Sequence, residues 1–343
     1  MGKLLETAAL LVVLGASRAW GACMNAGLSA WLVPWDEADD GVECFDELHP
    51  FAFAFSTSPA AAALPHPEFL RQAERFRRPG LQMIPVIVND VYEGGRLKTL
   101  KSDRALRALL MDKAAVSRHV DALVGAAEDF DGIEVDYERV PLRCWWRFAD
   151  FIEILGRALH ARGKKLYVDL EPPRFYRPDL ARRFGPRLAA AADQLVVMAY
   201  YERGSFALRP GPGVSLDWAL RVARWAQGFI PPEKLTVALS SAGTDWSPVF
   251  PGPIAPWRGR RLHYAQGLDR LAQSRGKLER ADASSPPRFT ISIHGRTHEF
   301  RLEDEISLRA KIFALRAIGV RRIGLWYWGR RHPDFKTLGS GWR

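Results

Sequence analysis

Hydrophobic residues follow two alternating patterns along most of this chain. Short apolar stretches typical of β-strands are separated by longer segments whose apolar residues recur every three or four positions, as in helices. Eight strands are predicted, at residues 28–34, 50–56, 81–89, 130–138, 165–171, 194–200, 235–241 and 322–328. Strands separated by helices indicate an α/β fold with a parallel sheet, and eight such strands can close into a (β/α)8 barrel.

The segments between the strands support this architecture. Helices are predicted over residues 67–77 and 104–129, and another begins at Pro141. An open, doubly wound sheet is the structural alternative, but such a sheet usually has a glycine-rich phosphate loop after its first strand, and the sequence has none there. We therefore expect a TIM barrel, whose active site lies at the carboxyl ends of the strands.

One connection is too long for a simple barrel. Residues 247–302, between strand seven and the last helix, are rich in Pro, Gly and Arg. Within them, residues 268–275 are predicted to be helical, and 289–293 and 297–301 to form a hairpin. A connection of this length usually has structure of its own or serves function. We expect a small α+β subdomain inserted on the catalytic face of a barrel that spans residues 23–343.

The N-terminus is typical of an export signal. Lys3 precedes an apolar stretch at residues 8–15, and small residues near position 22 offer a cleavage point, so residues 1–22 are predicted to be a signal peptide. The apolar stretch is shorter than a membrane span. Periplasmic or secreted location would permit a disulfide between Cys23 and Cys44, with lipidation of Cys23 as the alternative. Cys144 is expected to be a small buried residue.

The charge balance of the chain is basic. Its 343 residues carry a net charge of +10, which favours an anionic partner such as a cell-wall polymer. The basic residues are mostly arginines in short scattered clusters, and no nucleic-acid module is recognisable. No Cys–His spacing suggests a metal site, and no cofactor is expected. The oligomeric state is not predictable from these features.

Strand four carries the most informative chemistry. Its apolar and acidic residues alternate in the order Ile133, Glu134, Val135, Asp136, Tyr137 and Glu138. Three carboxylates on a solvent-exposed face would need no explanation. A parallel strand between helices is covered on both faces, however, and unpaired acids are costly there. Glu138 ends the strand, where a barrel places catalytic groups, so we interpret this row as functional.

This stretch resembles the active-site signature of family 18 glycoside hydrolases, and the likeness is greatest to the spore-coat and cell-wall-lytic branch. Seven positions fit the signature: Phe130, Asp131, Gly132, Ile133, Val135, Asp136 and Glu138. Glu134 departs, because the family has Asp or Asn at this position. The resemblance implies a retaining hydrolase of β-linked N-acetylated glycans, peptidoglycan-like or chitooligosaccharide, in which the substrate's own acetamido group is the nucleophile.

The same resemblance implies roles for individual residues. Glu138 would be the general acid/base, Asp136 would orient the acetamido group, and Glu134 would share a proton with Asp136. Met198 and Tyr200 match a family motif in strand six, where the tyrosine binds the acetamido group. Substrate contacts are also implied for Asp131, for Trp246 after strand seven and for Trp328 at the end of strand eight. Departures at Tyr201, Ser240 and Ala242 leave open a non-catalytic glycan-binding protein.

Strand five adds two further acids to this picture. Asp169 and Glu171 have the same parity, on a strand beside strand four. If they point into the barrel, Glu171 could be a direct nucleophile on a sugar without an acetamido group, or the two acids could bind a cationic sugar. If they point toward the helices, they are ordinary charges at a strand end. We expect the inward orientation.

Overall fold

The computed structural model describes residues 27–35, 42, 45–56, 64–65, 67–173, 179–200, 202–250, 252, 255–274 and 277–329. The predicted signal peptide and the predicted Cys23–Cys44 disulfide lie outside these ranges. The strands are β1 (Leu28–Leu32), β2 (Glu47–Ser56), β3 (Leu64–Pro65), β4 (Gln82–Met83), β5 (Val86–Glu93), β6 (Arg96–Thr99), β7 (Gly132–Asp136), β8 (Lys165–Leu170), β9 (Gln194–Met198), β10 (Phe206–Ala207), β11 (Leu235–Ser240), β12 (Gly243–Pro248), β13 (Trp257–Leu262), β14 (Arg288–Ile293), β15 (Arg296–Arg301) and β16 (Arg322–Trp326).

The helices cover the outside of the barrel or belong to the insertion. They are α1 (Pro67–Phe76), α2 (Asp103–Met111), α3 (Lys113–Ala126), α4 (Trp145–His160), α5 (Leu180–Ala191), α6 (Leu216–Gln227), α7 (Tyr264–Ser274) and α8 (Glu305–Ala317). None of the helices in the described ranges combines the length and the hydropathy that a membrane crossing requires.

Eight parallel strands close into a barrel. The ring runs β1, β2, β5, β7, β8, β9, β11 and β16, each paired in parallel with the next, and β16 pairs back with β1. Closure leaves no free edge in this ring. The predicted (β/α)8 barrel is confirmed.

The barrel has an inner and an outer core. Strand residues of one parity form the inner cluster with Trp31, Tyr167 and Met198, and residues of the other parity pack against the helices. Ile133 and Val135 of β7 belong to the outer core. The acidic positions of β7 therefore face the barrel interior, as their period of two predicts.

Two details of the third and fourth barrel units differ from the prediction. The helix expected over residues 104–129 is two helices, because Asp112 ends α2 with its backbone N–H and begins α3 by accepting hydrogen bonds from Ala114 and Ala115. Strand three, predicted over residues 81–89, is interrupted: β4 and β5 both pair in parallel with β2, and β5 continues into an antiparallel hairpin with β6. This hairpin brings the segment that contains Lys101 to the carboxyl end of β7.

The insertion after β11 is built on a separate antiparallel sheet. Its strand order is β10, β13, β12, β15 and β14, so the loop after β9 contributes the edge strand β10. Phe289, Phe300 and Leu302 form its core, and side chains of α7 pack against them. At the mouth of the barrel, the Tyr327 hydroxyl lies 2.6 Å from a ring nitrogen of His263, which joins the insertion to the end of β16.

Candidate active site

The motif strand β7 needs its glycine because β8 passes very close. A Cβ atom at Gly132 would lie 2.3 Å from the backbone carbonyl oxygen of Lys165, far inside contact distance. The parallel pairing of Gly132 with Lys165 fixes the register of the two strands. From this point β7 carries the carboxylates of Glu134 and Asp136 into the barrel, and Glu138 follows at its carboxyl end.

The catalytic pair predicted from the sequence lies together around a lysine. Asp136 and Glu138 share the ammonium group of Lys101, whose Nζ lies 2.7 Å from Asp136 Oδ2 and 3.0 Å from Glu138 Oε1. The side chains of Asp136, Glu138 and Lys101 are only 5, 16 and 11% exposed, respectively. The other oxygen of Asp136, Oδ1, is buried and has no hydrogen-bond partner among the described residues. This oxygen can therefore accept a hydrogen bond from a ligand.

The backbone around the pair is held by two polar residues of β5. Asn89 accepts a hydrogen bond from the Glu138 N–H (3.1 Å) and donates one to the Glu138 carbonyl (2.9 Å). Asp90 accepts the backbone N–H of Lys101 at 2.7 Å. Lys101 has a φ of 50°, a conformation that costs a non-glycine residue about 1–2 kcal/mol. The contacts around Lys101 therefore stabilise a backbone conformation that a lysine does not favour on its own.

Burial and pairing shift the pKa values of these groups. Burial raises the pKa of Asp136 to about 7, although Lys101 acts in the opposite direction. Burial alone would lower the pKa of Lys101, but the carboxylates of Asp136, Glu138 and Asp90 outweigh it and raise that pKa. The lysine is therefore charged at neutral pH, while Asp136 lies near its titration midpoint.

Glu134 lies deeper in the barrel and is fully buried. Trp31 Nε1 donates to Glu134 Oε1 at 2.9 Å, and the His49 ring forms an ion pair with the other carboxylate oxygen. The sequence led us to expect that Glu134 shares a proton with Asp136. In the structure its direct partners are instead Trp31, His49 and Asp169, so Glu134 is corrected from a catalytic to a supporting residue.

His49 is the positive centre of this deeper layer. Burial acts to lower its pKa, but the carboxylates of Glu134 and Glu47 outweigh burial and raise the pKa to about 9. Glu47 also accepts a hydrogen bond from Tyr167 (2.7 Å) and pairs with Arg322 at 2.5 Å. The negative charge of Glu134 is thus compensated beneath the site.

The two acids of strand five have different surroundings. Asp169 points inward, as expected; burial, followed by the charges of Glu134 and Asp136, raises its pKa well above the usual range. Glu171 accepts the backbone N–H of Arg139 at 2.9 Å, which fixes the bend after Glu138. Glu171 thus supports the chain beside the catalytic pair, which weakens its assignment as a nucleophile.

Aromatic residues cover the mouth beside the pair. Tyr200 stacks on Trp326, with ring centroids 6.3 Å apart and planes at 16°. The ring centroids of Phe51 and Trp326 are 4.8 Å apart, and Lys101 Nζ lies 5.8 Å from the centre of the Phe51 ring. The predicted Tyr200 therefore lies in the inner cluster of the barrel, as does Met198. Trp35, 58% exposed, packs edge-on against Phe51 and offers an open aromatic surface.

The structure places three predicted substrate contacts elsewhere. Asp131 precedes β7, at the opposite end from Glu138, where it accepts the N–H of Met83 at 2.7 Å. Trp246 is buried in the inserted sheet and donates to the Gly211 carbonyl at 2.8 Å. Trp328 is buried in the outer core, edge-on to Phe45. These three positions are corrected to structural roles.

Three site residues were not identified from the sequence. Trp326 has the same parity as Trp328, but β16 ends at Trp326, which faces inward, whereas Trp328 lies beyond the strand in the outer core. His49 has the same parity as Glu47 on β2, which is only weak sequence evidence that it faces the barrel interior. Lys101 gave no signal, because it reaches Asp136 only through the unpredicted β5–β6 hairpin. Within the described ranges, no group of three or more His, Cys, Asp or Glu is placed to hold a metal ion.

Comparison with known proteins yields a distant curated relative. No family model matches the chain. Over 202 residues it is 24% identical to a Bacillus subtilis (strain 168) protein, YdhD, which is named as a sporulation-specific glycosylase. The match covers 57% of this chain and 46% of that protein, so the chain spans about half the length of this relative.

Solved structures share the fold over almost the whole chain. A chitinase from Chromobacterium violaceum ATCC 12472 is 22% identical, with a TM-score of 0.72 and coverage of 92% of this chain and 98% of that chain. The spore cortex-lytic enzyme SleL of Bacillus megaterium QM B1551 is 20% identical, with a TM-score of 0.75 and coverage of 92% and 73%. The predicted resemblance to chitinase-like and cell-wall-lytic glycoside hydrolases is thereby confirmed, and the chain has their (β/α)8 fold.

Proposed function

We propose that this chain is an exported glycoside hydrolase that cleaves β-linked N-acetylated glycans with retention of configuration. The observation that carries the proposal is the arrangement of Asp136 and Glu138 at the carboxyl end of a barrel strand, beside the stacked rings of Tyr200 and Trp326. The distant glycosylase relative and the chitinase fold support the same reaction class.

The proposed mechanism uses the substrate as its own nucleophile. Glu138 donates a proton to the glycosidic oxygen while the acetamido carbonyl oxygen attacks the anomeric carbon, so the leaving group departs as an alcohol and an oxazolinium ion forms. Asp136 accepts the acetamido N–H through its unpartnered Oδ1, which fixes the nucleophile and stabilises the positive charge that develops. Glu138, now ionised, takes a proton from water as the water opens the oxazolinium ring.

The proposed substrate is an anionic wall polymer such as peptidoglycan. The net charge of +10 favours an acidic surface, and the predicted signal peptide would bring the protein to it. A free cationic sugar fits less well, because Lys101 already supplies a cation to Asp136 and Glu138, and His49 supplies one to Glu134.

A second candidate function is non-catalytic glycan binding on the same scaffold. It is favoured by the contact between Lys101 and Glu138, because the ammonium group occupies one carboxyl oxygen of the proposed general acid. Under this alternative the same groups hold an N-acetylated sugar without cleaving it.

The test is the substitution Glu138→Gln, assayed on peptidoglycan and on N-acetylglucosamine oligomers with mass analysis of the products. Loss of the general acid is expected to lower kcat about 10²–10⁴-fold while oligomer binding persists. Glu93→Gln, an exposed residue of the β5–β6 hairpin, is the control and should leave the rate unchanged. Wild-type turnover by Glu138→Gln would contradict the mechanism, and binding without product by the wild-type protein would establish the second candidate.

A further inference from the structure

Lys101 is built into the site rather than resting on its surface. Its ammonium group bridges Asp136 Oδ2 (2.7 Å) and Glu138 Oε1 (3.0 Å), and its backbone N–H is held by Asp90 (2.7 Å). The next residue is also fixed, because the Ser102 N–H donates to the Asn89 carbonyl at 2.9 Å. The lysine thus enters the barrel from a hairpin that is anchored on both sides of it.

Acidic side chains outnumber basic side chains around this lysine. The titratable and charged groups around Lys101 and its two carboxylates lie on four barrel strands. They are Asp90 and Tyr92 on β5, Glu134, Asp136, Glu138 and Arg139 on or after β7, Asp169 on β8 and, beneath them, His49 on β2. His49 compensates Glu134, and burial, followed by the charges of Glu134 and Asp136, raises the pKa of Asp169 well above its usual range. Lys101 therefore has three carboxylates around it, Asp136, Glu138 and Asp90, and one charge with which to balance them.

We propose that Lys101 is a positioning residue that bridges Asp136 and Glu138, favours loss of the proton that the pair retains, and thereby sets the alkaline limit of hydrolysis. The proposal rests on the proposed function, since Glu138 can act as an acid only while the pair retains a proton. The ammonium group 2.7 Å from Asp136 acts to lower the pKa of that carboxyl, so the proton leaves at lower pH than it would without the lysine. The lysine also occupies Asp136 Oδ2, which leaves Oδ1 as the oxygen available to the substrate N–H.

The first experiment compares pH profiles of kcat/KM for the wild-type protein and for Lys101→Met, Lys101→Gln and Lys101→Arg. Without the positive charge, the alkaline limb of Lys101→Met and Lys101→Gln is expected to move upward by about 1–3 pH units. Lys101→Arg keeps the charge and should keep the limb near its wild-type position. Lys98→Met is the control, because Lys98 is on the same hairpin but pairs with the exposed Glu93.

A purely structural lysine would give a different result. Its loss would lower the melting temperature and the total activity without moving the limb. Lys101→Gln retains hydrogen-bond donors and serves if Lys101→Met does not fold. An alkaline limb that is unchanged in every folded variant lacking the charge would overturn the proposal.

The second experiment needs no substrate. Proteins with ¹³C-labelled Asp and Glu carboxyl groups are titrated by NMR, and the Asp136 resonance is assigned with Asp136→Asn. We expect this midpoint to rise in Lys101→Gln relative to the wild type, and an unchanged midpoint would overturn the role of Lys101. A raised midpoint in a protein that hydrolyses no glycan would refute the proposed function and the alkaline limit with it, and would leave only the effect of Lys101 on the Asp136 charge.

Discussion

At the scale of single residues, buried charges in the interior of this barrel are paired with charges of the opposite sign. Glu134 is paired with His49, Glu47 with Arg322, and Asp136 with Lys101. Removing one member of such a pair usually costs more stability than the pair itself contributes, because the remaining charge is buried alone. The proposed catalytic pair, Asp136 and Glu138, therefore lies above a layer of buried ion pairs that includes Glu134 with His49 and Glu47 with Arg322.

His49 makes the stability of the protein depend on pH in a defined direction. Its pKa is raised from 6.5 to about 9 in the folded state, so its contribution is complete below pH 6.5 and is lost as the pH rises through 9. We expect the free energy of unfolding to fall by as much as about 3 kcal/mol over this interval. Urea denaturation at a series of pH values measures this fall in the free energy of unfolding.

The variant His49→Gln supplies the comparison for this prediction. It should be less stable than the wild type at pH 6.5, since Glu134 loses its cation, and its stability should vary less between pH 6.5 and 9. Parallel curves for the two proteins across this range would show that His49 is not the titrating group.

Residue patterns predicted some of these partners and could not predict others. Asp136 and Glu138 follow from the period of two on one strand, because parity is a local property of the chain. Lys101 is 35 residues from Asp136, and only the hairpin geometry brings the two together. The inward direction of Trp326 depends on where β16 ends, and strand ends are poorly specified by local sequence.

At the scale of the element, β7 is positioned by the absence of a side chain. Gly132 allows the Lys165 carbonyl of β8 to approach, and one residue of displacement there would turn Asp136 out of the barrel.

The break between helices α2 and α3 shows what hydrophobic periodicity alone does not predict. Their apolar residues continue across the break, so the pattern predicts one helix, whereas the single side chain of Asp112 divides it.

Gly132→Ala tests this close approach. The new Cβ would lie 2.3 Å from the Lys165 oxygen, so the strands must separate, and the free energy of unfolding is expected to fall by about 1–3 kcal/mol or more, with loss of activity. Gly125→Ala is the matched control, because its Cβ meets no atom within 4 Å. It should be neutral or stabilising by up to about 1 kcal/mol in denaturant titrations. Equal stabilities for the two variants would contradict the steric argument.

At the scale of the whole molecule, the inserted sheet and the barrel meet at the mouth of the site. Arg261 on β13 lies over the Trp326 ring at 6.0 Å, and the His263–Tyr327 contact lies beside it. The length and composition of the connection after strand seven predict an inserted subdomain, and strands β12 to β15 of the antiparallel sheet lie in this part of the chain. Its edge strand β10 was not predictable, because it comes from the loop after β9 and is only two residues long.

The charge of the whole molecule gives a prediction that concerns substrate capture. A net charge of +10 should attract an anionic polymer over distances that salt screens, since the Debye length falls from about 30 Å at 0.01 M to about 8 Å at 0.15 M. We expect kcat/KM on an anionic wall polymer to fall about tenfold or more over this range, mainly through KM. Neutral N-acetylglucosamine oligomers provide the comparison, because their capture has no long-range electrostatic component. If both substrates lost activity in parallel, salt would be acting on the ion-paired site itself, and the basic surface would have no part in recognition.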